Sequence, residues 1–82
     1  MTHRYKTRGT CAYEITFEID SDRCLRNVQF YGGCNGNTKG LAALVEGMDA
    51  EEAVRRMSGI TCGYKSTSCP DQLAQAIRQA LR

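Results

Sequence analysis

"AYEITFEIDSDRCLRNVQFY" spans Ala12–Tyr31 and decides the fold. Tyr13, Ile15, Phe17 and Ile19 alternate with Glu14, Thr16 and Glu18, the period of two expected of a strand with one face buried. Asp20–Arg23 ("DSDR") supplies turn residues. A second strand follows over Leu25–Tyr31, with Val28 and Phe30 on its apolar face. The stretch therefore predicts an antiparallel β-hairpin. A short strand around Tyr5–Thr7 would pair beside it as a third. The basic run His3–Arg8 otherwise reads as a solvated terminus.

Towards the C-terminus the period changes. Leu41, Leu44, Val45 and Met48 fall at i, i+3, i+4 and i+7, a helical stripe that Gly47 would end. Asp49 and Glu52 are spaced as an acidic relative of the capping box, ahead of Ala53, Val54 and Met57. Gly59 closes that second helix, and Ile60–Lys65 reads as irregular. Pro70 suits the first turn of a third helix, in which Leu73, Ile77 and Leu81 share a face. The order is β-β-α-α-α: an α+β fold, a small antiparallel β-hairpin or three-stranded sheet covered by about three helices. Eighty-two residues make one domain, 1–82.

With 11 basic and 9 acidic residues, scattered and with a net charge of +2, the chain does not read as a nucleic-acid binder. "MTHRYKTRGT" lacks an apolar h-region and no segment reaches the length of a membrane span, so cytoplasmic localisation is expected. Five cysteines is an odd count without an export signal, which points to metal binding or thiol chemistry rather than a disulfide framework.

The hairpin decides which cysteines can meet. Its core faces require opposed residues whose numbers sum to 43 or 45. In the second register Cys11 faces Cys34; in the first it faces Gly32, and either way Cys11 and Cys34 share one end. Cys24 lies at the other end, roughly 30 Å away at strand rise. Four remain: Cys11, Cys34, Cys62 and Cys69, the number a closed tetrahedral zinc site needs. Cys69 stands where a helix begins, and a helix N-terminus favours thiolate over thiol. No C-x-x-C knuckle is present, and three uses stay open on spacing alone: metal ligands, small buried hydrophobes, or redox thiols with Cys69 attacking and Cys62 resolving.

Gly32–Gly40 ("GGCNGNTKG") invites a phosphate-loop reading but fits neither the Walker A pattern nor G-x-G-x-x-G. Its glycines and asparagines read instead as a strand end and a helix cap at Asn35 or Asn37, with Gly40 allowing close helix–sheet approach. His3 is the sole histidine, which argues against a Cys–His dyad. Asp20, Asp22, Glu51 and Glu52 read as turn and first-turn acids rather than an acid–base pair. Arg55, Arg56, Arg78 and Arg82 read as solvated helix faces.

"TRGTC", "GGCNGNTKGLAALVEGM", "GITCG" and "TSCPDQLAQAI" occur in that order and together resemble the TSCPD-domain family in its short stand-alone form. The resemblance implies that Cys11, Cys34, Cys62 and Cys69 are metal ligands, with zinc the expected cofactor and an iron–sulfur cluster a lesser alternative. Cys24 is not a family position. Related domains occur in adenosylcobalamin-dependent (vitamin B12-dependent) ribonucleotide reductases, which implies a reductase or another protein of deoxyribonucleotide metabolism as partner. The chain itself is too small to be a complete ribonucleoside-diphosphate reductase. An accessory or interaction module is the expected role, and a thiol–disulfide reductant using Cys69 and Cys62 is the alternative.

Overall fold

A computed structural model of the chain describes residues 2–10, 12–32, 35–61, 63 and 66–81. Three strands, β1 (Thr2–Lys6), β2 (Ala12–Ile19) and β3 (Leu25–Gly32), precede three helices, α1 (Asn35–Val45), α2 (Ala50–Met57) and α3 (Cys69–Ala80). The sheet is antiparallel in the order β1-β2-β3. The fold class is α+β as expected, with the three-stranded alternative realised. The third strand is Thr2–Lys6 rather than Tyr5–Thr7, so the basic run is mostly strand and not a free terminus. Its inward residues are His3 and Tyr5, and the His3 ring stacks on Phe17 at 5.3 Å between centroids.

The centre of the hairpin adopts the expected sum of 45, pairing Ile15 with Phe30 and Thr16 with Gln29. Irregularities at each end change it to 44. Near the turn, β3 carries the extra residue, and Asn27 adopts a left-handed φ of 55° there, the mark of a β-bulge. This bulge lets odd-numbered Leu25 join even-numbered Val28 in the core. At the other end β2 carries the extra residue between Ala12 and Glu14. Ala12 takes the buried position, and Tyr13, expected in the core, is 65% exposed and lies 6.5 Å from the Tyr31 ring.

Ile15 and Phe17 from β2 and Leu25 and Val28 from β3 meet Val45, Ala50, Ala53, Met57, Leu73, Ala74, Ala76 and Ile77 from the helices. Removing each large member from water contributes about 1.5–3 kcal/mol, a large share for so small a domain. α1 packs on β3, α2 packs on α3, and α3 reaches β1. Helix α1 starts inside the glycine-rich stretch, earlier than its apolar stripe suggested. It turns Thr38, Leu41, Ala42 and Val45 inward and leaves Leu44 77% exposed. Met48 lies past the helix and still packs on the core. Gly40 does not serve a close approach, because a Cβ there would meet nothing within 4 Å. Gly47 ends this segment as expected: its φ is 80°, and its N–H donates to the Leu25 carbonyl at 2.7 Å.

The α2 start also follows the sequence. Asp49 caps it, its carboxylate accepting from the Glu52 N–H at 3.0 Å. Among the described residues, no helix is long and apolar enough to cross a membrane.

Candidate functional site

Helix α3 begins with Ser68 as N-cap, Cys69 as its first residue and Pro70 as its second. Ser68 is extended, and its hydroxyl accepts from the Asp71 N–H at 3.2 Å. The same hydroxyl donates to the Ile60 carbonyl at 2.6 Å, tying the segment after α2 to the start of α3. Pro70 itself has no N–H to satisfy in this first turn. Cys69 itself is half-buried.

Around this cap lies a polar network that sequence reading missed. Asp71 is only 8% exposed. Its carboxylate accepts from the Thr67 hydroxyl, from the Gly59 N–H at 2.7 Å and from the Gln75 amide at 3.0 Å. These donors, Thr67 foremost and then Gly59, hold its carboxyl below the usual range although burial opposes them. Gln72, also buried, donates to the Thr67 hydroxyl at 3.0 Å and accepts from the Arg8 N–H at 3.1 Å. Gln72 thereby joins α3 to the β1–β2 connection, 64 positions earlier.

The connection approaches closely at a second point. Gly9 has a φ of 74°, and a Cβ on it would lie 3.1 Å from Thr67 Cγ2. On either side of it, the hydroxyls of Thr7 and Thr10 both donate to the Ala12 carbonyl, and Ala12 pairs with Gly32. The described residues Thr10, Ala12, Gly32, Ile60, Ser68 and Cys69 thus belong to segments linked to one another at one end of the sheet. Cys11, Cys34 and Cys62 lie outside the described residues, as does the expected pairing of Cys11 with Cys34. Among the described residues, no three His, Cys, Asp or Glu side chains gather as a metal site.

Cys24 stands at the opposite end of the hairpin. It bridges to Asp49, next to the start of α2, and its N–H donates to Asp20 at 2.9 Å. Eight residues of strand from there to Gly32 correspond to roughly 25 Å. Asp20 works as the expected turn acid: its carboxylate also accepts from the Asp22 N–H and from Arg26, both at 2.9 Å. The Cys24 N–H and then Arg26 hold its carboxyl below the ordinary range. His3 is occupied on Phe17, within the β1–β2 pairing. Of the two residues expected to cap the first helix, Asn37 falls inside α1, which begins at Asn35.

No curated protein and no solved structure matches the chain. A family model described as the TSCPD domain matches residues 1–81. That match runs through all three strands and all three helices, and the chain belongs to the TSCPD domain family.

Proposed function

We propose that this chain is a zinc-binding accessory domain in which Cys11, Cys34, Cys62 and Cys69 hold one metal ion, and that it serves ribonucleotide reduction by docking to an enzyme of that pathway. The observation that carries the metal reading is the linking of segments. Described neighbours of all four cysteines are joined by the Arg8–Gln72, Ala12–Gly32 and Ser68–Ile60 contacts. The donor set fits the ion: four thiolates are soft ligands, and four is the coordination number of a structural zinc. Zinc there would supply a crosslink between the hairpin end and α3, and its binding energy would contribute to folding.

The reductase link comes from the family alone. It is compatible with a domain of 82 residues acting beside a larger enzyme. Elemental mass spectrometry on protein purified without added metal tests the first part, with about one zinc per chain expected. No metal, together with a Cys62–Cys69 disulfide that forms and reduces reversibly, would favour the thiol reductant instead.

A further inference from the structure

Gln72 is buried in α3 beside Leu73, Ala74, Ala76 and Ile77, and is only 5% exposed. An apolar side chain would fill such a position without the cost of dehydrating an amide. The amide is instead used at both of its ends. Its nitrogen donates to the Thr67 hydroxyl at 3.0 Å, and its oxygen accepts from the Arg8 N–H at 3.1 Å. Thr67 in turn donates to the Asp71 carboxylate. Among the described residues, no buried side-chain nitrogen or oxygen lacks a hydrogen-bond partner. A buried polar network satisfied to this degree rigidifies the segments it joins. Those segments matter, because Thr67 stands two residues before Cys69 and Arg8 three before Cys11. Gly9 adds a steric stop between them: its φ is 74°, and a Cβ on it would lie 3.1 Å from Thr67 Cγ2.

We propose that Gln72 is the positioning residue of the metal site, fixing the approach of the segment that leads into Cys11 to the segment that leads into Cys69 before an ion binds. It is not itself a ligand and acts through the two segments it joins. A tetrahedral zinc with bonds to sulfur of about 2.3 Å needs thiolates roughly 4 Å apart. Three residues of chain reach at most about 10 Å. An anchor at Arg8 therefore confines the search of Cys11 for the ion to a small volume. Without that anchor the ion must order the β1–β2 connection itself, and the ordering entropy is subtracted from its affinity. This inference rests on the four-cysteine reading above and adds to it the residue that sets the strength of binding.

The test is zinc affinity, measured by competition with a chromophoric chelator, together with the absorption bands of the cobalt(II)-loaded chain. The native chain is compared with Gln72→Met and Ile77→Val. Methionine keeps the length of Gln72 without either hydrogen bond, whereas valine loosens the core face of the same helix and leaves the network intact. Gln72→Met should bind zinc about tenfold more weakly, the low end of the range for residues that orient metal ligands. Its cobalt–thiolate bands should shift. Ile77→Val should lower the urea midpoint and change neither the affinity nor the bands. Gly9→Ala disturbs the same junction from the other side and should weaken zinc as well. Adding Thr67→Ser, which deletes Cγ2 and keeps the hydroxyl, should restore part of that loss. Native affinity in Gln72→Met, or an equal loss in Ile77→Val, overturns the proposal. Should Gln72→Met fail to fold, the Gly9→Ala pair decides, and an affinity that Thr67→Ser does not raise overturns it. A native chain that takes up neither ion refutes the four-cysteine reading and this inference with it, whereas failure of the inference alone leaves native binding intact.

Discussion

Replacing Asp71 by alanine should unfold the α3 start more than its position in a first helical turn suggests. The carboxylate is buried and holds three donors: the Thr67 hydroxyl, the Gly59 N–H and the Gln75 amide. A hydrogen bond to a charged group contributes about 1.5–3 kcal/mol, so three set an upper bound near 9 kcal/mol. Gly59 is exposed and Gln75 half-buried, so water can recover much of what they lose. Thr67 is 8% exposed and retains its bond from Gln72, which softens its own loss. The expected cost is therefore about 3–4 kcal/mol, a large part of the ~4–12 kcal/mol available to a domain of this length. Asp71→Asn keeps the shape and one carbonyl acceptor and should cost about 1–2 kcal/mol.

Urea unfolding followed by far-ultraviolet circular dichroism gives both numbers from midpoints at constant slope. Hydrogen exchange at the Gly59 amide should accelerate in Asp71→Ala before the core amides do. A loss below about 1 kcal/mol with an unchanged slope would refute the claim that this carboxylate organises the residue 59–68 segment.

Three further outcomes can be measured on the same apparatus. Gly40→Ala should stabilise the chain by about 0.5–1 kcal/mol, because the position is helical and a Cβ there meets only solvent. A lower urea midpoint would mean that α1 is not formed at this residue. Asp20 has a folded pKa below its ordinary 3.8, so its contribution is complete above that value and is lost as pH falls through the folded one. The stability difference between the native chain and Asp20→Asn should therefore shrink below about pH 4, and a difference constant from pH 6 to pH 2 would contradict the assignment. Cys24→Ser should shift stability by less than about 0.5 kcal/mol, as this thiol is half-buried and its hydrogen bond is a long one, to the Asp22 carbonyl at 3.8 Å.

The parts of the fold legible in the sequence are those with a local period. β2, the α2 cap and the α3 face of Leu73 and Ile77 follow from alternation, from Asp49 and from i, i+4 spacing. β1 was harder to read because its inward residues are His3 and Tyr5, neither a plain apolar signal. The bulges that expose Tyr13 and bury Leu25 depend on which residues pair across the hairpin, and so on contacts that no single strand encodes. Leu44 misled for a related reason. Periodicity ranks an apolar residue by its angle on the helix, and where the sheet stands around α1 is decided by tertiary packing.

At the candidate site, parity and strand length set Cys24 apart from Cys11 and Cys34, and Cys24 does stand at the far end of the hairpin, whereas Cys11, Cys34 and Cys62 lie outside the described residues. What the sequence did not reveal is the polar scaffold. Thr67, Asp71 and Gln72 resemble ordinary cap and first-turn residues until Gly59 and Arg8 arrive from distant parts of the chain. Asp71 and Gln72 stand directly after the Cys-Pro step, so one short motif supplies a thiol, a helix start and the anchor for two loops.

The most direct test of the central claim is the zinc content of the native chain beside that of Cys69→Ser and Cys24→Ser. The account predicts about one zinc per chain in the native and Cys24→Ser proteins, and loss of the metal with a lowered unfolding midpoint in Cys69→Ser. A native chain that folds fully with no bound metal, or a Cys69→Ser chain that keeps its zinc, would contradict it.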